Sequence, residues 1–361
     1  MRHSKLYYER TKGLAPFAYT IVDKWLYFCD QCIPGLFRYH FEKKKAELVT
    51  VFDSKYVKQN FYKIVCFRDE LWLLPFLDGK IISFNMVTNN VFYHEVSSEV
   101  NEKVIPFSDM MFREEKAYLI PHGKNRFLIE MDLLTHEMKT LRLFGSEKES
   151  VFFSGAIHVS NQIYLAESVD NKLILFDLDK KKKEDICAIN VQLNNFLMRK
   201  LDDQICFFPI TVSGCDKLLI YDTDNNCLME KEYPIKSLHP GDVCITVVLK
   251  NSIWVLANKQ KKIYQINQML EIESEIDILN FNDRLEEVYV SGTAFIDCLF
   301  WNGHRGIPLI QVKDDMIQML DVGKNSSLFE VYMEIVNKYD SNKGEIKKLS
   351  LGKAIYDAVV N

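Results

Sequence analysis

Glycine and proline are scarce in this sequence, with 14 glycines and 9 prolines among 361 residues. No stretch approaches the roughly 18 consecutive apolar residues that a membrane-spanning helix needs. The 45 basic residues are outnumbered by 50 acidic ones, which leaves a formal net charge of -5. These absences exclude a collagen-like chain and a glycine-built cradle for phosphate groups. They also predict that neither a membrane nor a nucleic acid is a partner, because general nucleic-acid binding requires a basic footprint.

Motifs of catalysis and metal binding are equally sparse. The sequence contains no P-loop, no GxGxxG fingerprint, no GxSxG elbow and no HExxH pair. The segment Cys29-Asp-Gln-Cys32 has the spacing of half a zinc site or of a redox pair. A zinc site requires two further ligands, and no second CxxC or Cys/His pair exists. We therefore expect no metal and no cofactor.

The nine cysteines indicate a reducing compartment. Cys66, Cys206 and Cys244 each lie inside an apolar, strand-like run, where a free cysteine behaves as a small buried hydrophobe. A secreted disulfide scaffold would be shorter and its cysteines more evenly spaced. The first ten residues carry charges but no apolar core of a signal peptide. From these features we expect a cytoplasmic protein.

A short motif of an apolar residue, a usually aromatic residue and another apolar residue recurs along the chain. Copies follow one another at intervals of 42 to 48 residues, and seven can be counted. Their central residues are Tyr27, Trp72, Tyr118, Tyr164, Cys206, Trp254 and Leu299. A regular interval of this length is typical of repeat architectures in which each unit is one supersecondary element.

A second landmark keeps the same period independently. It is a polar residue that ends an alternating apolar run, and successive copies are 45 to 47 residues apart. The copies are His40, Asn85, Asp132, Asp177, Asp222 and Asn267, and the seventh apolar run ends at Lys313. Asn and Asp side chains bond their own backbone in turns, which predicts a hairpin after each landmark.

Each repeat contains about four short runs rich in Ile, Val, Tyr and Phe. In the fourth repeat they are Phe153–His158, Gln162–Ala166, Lys172–Asp177 and Glu184–Ile189. Four strands in each unit of about 45 residues resemble the repeats of the β-propeller superfamily. The resemblance covers residues 15 to 321 and implies an all-β, seven-bladed β-propeller with a central channel. The signatures of WD, kelch and sialidase repeats are missing, so the resemblance implies no particular activity.

The two ends of the chain fall outside the repeats. Residues 1–14 form an N-terminal segment that contains a candidate closing strand. Residues 322–361 are expected to form a short helical tail, because Ser326-Ser327 precedes one amphipathic apolar face. That face consists of Leu328, Val331, Tyr332, Ile335 and Val336. The tail either packs on the propeller, docks a partner protein or dimerises.

Candidate ligand-binding residues lie in loops that would converge over the channel. We expect a cationic mouth there that suits a small polar, and in particular an anionic, ligand, since arginine binds such groups bidentately. The candidate residues are His122, Lys124, Arg126, Asn302, His304 and Arg305.

Two classes of function remain open from the sequence. The first is a non-enzymatic binding or scaffold propeller that recognises a partner protein or a small polar ligand over one face. The alternative is a propeller lyase or hydrolase, with a catalytic site formed by His122, Glu167 and His304 over the channel. In that alternative a histidine would act as general base, and Glu167 or Asp109 would be its partner. The sequence favours the first class because its loops carry no catalytic signature.

Overall fold

The computed structural model shows an all-β chain. It describes residues 16–30, 35–53, 61–75, 80–96, 107–122, 126–144, 151–212, 217–249, 252–278, 289–295, 298–303, 309–313 and 316–320. These residues form 28 strands and one 3-10 turn at Leu193–Asn195. Within this part of the chain, no helix has the length and apolar character needed to cross a membrane. The predicted closing strand and the predicted helical tail both lie outside the described residues.

The strands follow one another in groups of four. The first three groups are β1 Pro16–Val22, β2 Trp25–Asp30, β3 Gly35–His40, β4 Lys45–Val51; β5 Phe61–Phe67, β6 Glu70–Pro75, β7 Ile81–Asn85, β8 Val91–His94; and β9 Phe107–Arg113, β10 Lys116–Pro121, β11 Phe127–Asp132, β12 Met138–Arg142. The fourth and fifth groups are β13 Phe153–Val159, β14 Gln162–Glu167, β15 Lys172–Asp177, β16 Lys182–Ala188; and β17 Phe196–Leu201, β18 Gln204–Pro209, β19 Lys217–Asp222, β20 Cys227–Glu232. The last two are β21 Cys244–Leu249, β22 Ser252–Ala257, β23 Lys262–Ile266, β24 Ile272–Asp277; and β25 Tyr289–Phe295, β26 Cys298–Gly303, β27 Leu309–Lys313, β28 Met316–Leu320.

Each group of four strands is one antiparallel meander, and together the groups make seven four-stranded sheets. We number these sheets 1 to 7 in chain order. Side chains are described in sheet 1 from Ala18 onward and throughout sheets 2 to 6, whereas in sheet 7 they are described only from Ile310 to Val312. The strands predicted for the fourth repeat match the observed ones within two residues. Seven four-stranded units agree with the strand pairing, while a seven-bladed ring stays a prediction.

Two compact units divide the described chain, one up to Phe153 and the other from Ser154 onward. In the first unit, the strand period of two separates the faces of sheet 2. Leu71 and Leu73 join a buried apolar cluster with sheet 1, while Trp72 and Leu74 join another with sheet 3. The repeated motif is therefore the packing element between successive sheets, as its alternation predicts. A fully buried side chain of this kind contributes about 1.5–3 kcal/mol to stability.

The second unit uses the same arrangement. Tyr164 of sheet 4 packs with Phe207 of sheet 5, and Cys206 packs with Val255 of sheet 6. Leu256, the next residue along β22, turns to the opposite face and packs with Ile310 of sheet 7. Sheets 5 and 6 are thus buried on both faces, which explains why their central strands are apolar at almost every position.

The polar landmarks close the hairpins that join the third and fourth strands. In four repeats the side-chain Oδ1 accepts the backbone N–H groups two and three residues ahead, at 2.9–3.1 Å. These landmarks are Asn85, Asp132, Asp177 and Asp222. Each hairpin then contains a residue with φ between 52° and 60°, which completes the reversal of the chain. The predicted role of the landmarks is confirmed in these repeats.

Replacing Asn85 by alanine is expected to lower the free energy of unfolding by about 1 kcal/mol, because two backbone N–H groups lose their acceptor. Asn85→Asp should change stability much less, since aspartate makes the same two bonds at position 132. Urea unfolding of the three proteins tests this. Equal losses in both variants would contradict the assigned role of Oδ1.

The first strands of neighbouring sheets lie next to each other. In the first unit β5 contacts β1 and β9, and in the second unit β21 contacts β17 and β25. Several first strands also contain a β-bulge at their second residue, including Tyr62 in β5 and Ser108 in β9. A bulge bends the strand and re-aims its side chains, and bulges are frequent beside functional sites.

Candidate ligand-binding site

The bulges of sheets 2 and 3 bring polar groups to one end of these two sheets. In β5, Phe61 pairs with Pro75 and Lys63 with Leu74, so that Tyr62 is the extra residue. The equivalent residue of β9 is Ser108, whose hydroxyl donates to the carbonyl oxygen of Pro121 at 3.4 Å. His122 follows immediately after Pro121, at the end of β10.

His122 lies between two aromatic rings. Its imidazole stacks on Tyr62, with ring centroids 5.4 Å apart. The ring of Phe152 is tilted against it, with a centroid distance of 6.2 Å. Burial lowers the pKa of this histidine to about 4, because an enclosed imidazolium would lose its hydration. The ring is therefore neutral at pH 7.

The two ring nitrogens of His122 have different surroundings. Nδ1 is enclosed and has no hydrogen-bond partner among the described residues, although the residue as a whole is partly exposed. An enclosed N–H without an acceptor is costlier than an unused lone pair, which favours the tautomer with the proton on Nε2. In that tautomer His122 offers a hydrogen-bond donor from its less enclosed edge.

An ion pair joins the first strands of the two sheets, and its Asp109 pairs with Ile120, two residues before His122. The ammonium of Lys63 in β5 donates to Oδ2 of Asp109 in β9. Oδ1 of Asp109 accepts the N–H of Met110 at 2.8 Å. Both side chains are about two-fifths exposed, at 40% and 41%. Ion pairs as exposed as this contribute little to stability, so the fold itself does not require this one.

Only some of the residues predicted for the ligand site lie in the described part of the chain. His122 and Arg126 flank residues 123–125 in sheet 3, and the side chain of Arg126 is already engaged within the protein. Asn302 belongs to the other compact unit, where it pairs with Ser291 in sheet 7. Lys124, His304 and Arg305 lie outside the described residues.

Glu167, which the catalytic hypothesis places over the channel, has its carboxylate bound within a turn. Its carboxylate is fully buried, and its two oxygens accept the N–H groups of Val169 and Asp170 at 2.9 and 3.1 Å. Glu167 therefore caps the turn after β14, which is a structural role. The other two residues of that hypothesis are His122, in the first unit, and His304, outside the described residues.

Of the predicted cysteine pair, Cys29 lies at the end of β2 in the described part of the chain. Cys29 is buried, and burial raises the pKa of its thiol well above the usual value, so it is a weak nucleophile and ligand. Cys32 lies outside the described residues. Within the ranges that the structure describes, no three His, Cys, Asp or Glu side chains come together as a metal site.

Two residues of the site were missed by sequence reasoning, Tyr62 and Lys63. A usable signal exists, since Phe61, Phe107 and Phe153 recur at the repeat period and open three of the first strands. The residue after this phenylalanine is the bulged one in β5 and β9. A search for polar residues in the two positions after these phenylalanines would have included Tyr62 and Lys63.

The comparisons with known proteins show the fold. No protein-family model and no curated protein matches the sequence. The extracellular domain of a putative hybrid two-component system from B. thetaiotaomicron superposes with a TM-score of 0.60 at 12% identity, over 85% of this chain and 41% of that one. The chain thus spans about two-fifths of that structure. Hsv2 from Kluyvelomyces marxianus superposes with a TM-score of 0.54 at 10% identity, over 85% of this chain and 97% of that one. Identities this low show the fold without the function: the chain is an all-β β-propeller.

Proposed function

We propose that this protein is a non-enzymatic binding propeller that holds a small polar ligand at the end of sheets 2 and 3. The observation that carries the proposal is the position of His122, held between Tyr62 and Phe152 with an enclosed, partnerless Nδ1. Such a ring is costly to bury for stability alone, because a buried polar atom without a partner is unfavourable by about 1–3 kcal/mol. We propose that ligand binding explains why His122 is held between these two rings.

The chemistry of the site supports binding over catalysis. A histidine with a pKa of about 4 is a weak general base at neutral pH, since proton transfer is efficient when the pKa lies near the working pH. The carboxylate of Asp109, the other partner considered for a histidine base, is bound to Lys63 and to a backbone N–H. These properties favour the binding hypothesis over the lyase or hydrolase hypothesis.

The proposal extends to the compartment. We also propose a reducing, cytoplasmic location. It is supported by Cys29 and Cys206, which are buried as free thiols.

Native mass spectrometry of protein purified gently from its own host tests the ligand. We expect a small-molecule adduct on the 42.3 kDa chain. His122→Ala should reduce its occupancy by about tenfold or more, because the loss of a well-placed hydrogen bond and of a packed ring costs at least about 1.4 kcal/mol. His158→Ala, which removes an exposed histidine of β13, is the control and should keep the adduct. An adduct with the same occupancy in His122→Ala would contradict the proposed site.

A further inference from the structure

The described groups of the site compensate one another in charge. Lys63 is paired with Asp109, and His122 is neutral at pH 7. A phosphate or carboxylate would therefore meet no unpaired cation among these groups and would approach the carboxylate of Asp109, which repels it. The anionic ligand expected from the sequence depended on His122, Lys124, Arg126, His304 and Arg305. Lys124, His304 and Arg305 lie outside the described part of the chain, and Arg126 is already engaged within the protein.

Hydrogen-bond donors and acceptors lie on neighbouring strands of sheets 2 and 3: Lys63 directly follows Tyr62 in β5, and Asp109 pairs with Ile120, two residues before His122. The ammonium of Lys63 has N–H groups beyond the one that it donates to Asp109. Each carboxylate oxygen of Asp109 has a second lone pair besides the bond that it accepts. Nε2–H of His122 adds a neutral donor. A hydroxyl group donates and accepts at once, so neighbouring hydroxyls match such a row better than a purely accepting anion does.

An aromatic surface lies beside this polar row. Tyr62 is the bulged residue directly before Lys63, and 36% of its surface is exposed. Its ring is fixed in orientation by stacking on His122. A rigid aromatic side chain offers a large contact area at little cost in conformational entropy, and it can pack against the C–H face of a ring-shaped ligand.

From this combination we infer that the ligand is a neutral, polyhydroxylated ring compound, namely a carbohydrate, bound by Tyr62, Lys63, Asp109 and His122. The inference rests on the proposed function, because it names the ligand class of the same site. Tyr62 supplies the packing surface, the Lys63–Asp109 pair binds two neighbouring hydroxyls, and Nε2–H of His122 donates to a hydroxyl or ring oxygen.

Titration calorimetry with matched sugars tests this inference. The probes are neutral monosaccharides and disaccharides of glucose, galactose and mannose, the uronic acid of each monosaccharide, and inorganic phosphate. At least one neutral sugar should bind about tenfold more tightly than its uronic acid. Tyr62→Ala should weaken that binding by about tenfold or more. Phe92→Ala, which removes an aromatic of β8 that is 44% exposed, is the matched control and should stay within about twofold.

The outcomes separate this inference from the proposed function. If a uronic acid or phosphate binds more tightly than every neutral sugar and His122→Ala abolishes that binding, the carbohydrate inference is wrong and the ligand site stands. The same holds if no sugar binds while the native adduct still depends on His122. If neither a probe nor a native adduct depends on His122, both proposals are wrong.

Discussion

Replacing Trp72 by alanine is expected to lower the free energy of unfolding by about 3–5 kcal/mol, the usual cost of deleting a large buried aromatic side chain. Trp72 is fully buried in the cluster between sheets 2 and 3. Its indole also stacks on His94, with ring centroids 5.1 Å apart. The substitution leaves a cavity against the neighbouring sheet, and the close-packed meander around it can collapse only in part. Urea unfolding, followed by far-ultraviolet circular dichroism, measures the loss.

Two controls make this result specific. Trp72→Phe keeps most of the apolar volume and removes an indole N–H that has no acceptor among the described residues. Its cost should therefore be below about 1.5 kcal/mol. Val87→Ala changes a side chain that is 71% exposed in the hairpin after β7, and it should cost less than about 0.5 kcal/mol. A loss in Trp72→Ala as small as that in Val87→Ala would contradict the packing of sheets 2 and 3.

Acidification from pH 7 to pH 4 is expected to destabilise the first compact unit through two histidines. Burial lowers the pKa of His122 to about 4, and burial together with the neighbouring His136 lowers that of His94 to about 4. The unfolded chain binds these protons near pH 6.5 and the folded chain only near pH 4. Their contribution to stability is therefore complete above about pH 6.5 and is lost as the pH falls toward 4.

Between pH 7 and pH 4, His122 should lower the free energy of unfolding by about 3 kcal/mol, since one pKa unit corresponds to about 1.4 kcal/mol. His94 should contribute less, because solvent screens part of its charge. Urea unfolding at pH 7, 5.5 and 4 measures the slope in the native protein and in His122→Phe and His94→Phe. His122→Phe and His94→Phe should each make the free energy of unfolding depend less on pH, whatever their effect at pH 7. His158→Phe, at an exposed position, is the control and should leave this dependence unchanged. An unaltered slope in His122→Phe would show that this histidine is not buried as a neutral ring.

Much of the fold could be predicted because its determinants are local and repeated. The landmark residues Asn85, Asp132, Asp177 and Asp222 act on the next three residues of the chain. Strand alternation places Leu71 and Trp72 on opposite faces of sheet 2, which is a property of the local chain. Local determinants of this kind can be read from one sequence, and the repeats show them several times.

The candidate site was predicted less completely, because its determinants cross between sheets. His122 was selected as a loop histidine, but its neutral state depends on Tyr62 and Phe152, which are 60 and 30 residues away in the sequence. Lys63 and Asp109 meet only because β5 lies beside β9. Glu167 shows the same dependence on the fold, since a buried carboxylate that accepts backbone N–H groups in a turn has the same sequence signature as the partner of a catalytic histidine.

The ¹⁵N spectrum of the histidine rings between pH 7.5 and 5.5 shows whether His122 is neutral and whether it contacts the ligand. The signals of His122 are assigned by their loss in His122→Ala, and the account predicts a neutral ring protonated at Nε2 throughout this range. Addition of a bound carbohydrate should shift its Nε2–H resonance and leave those of His94 and His158 in place. A His122 that titrates near pH 6.5 and does not respond to any ligand would contradict the site that we propose.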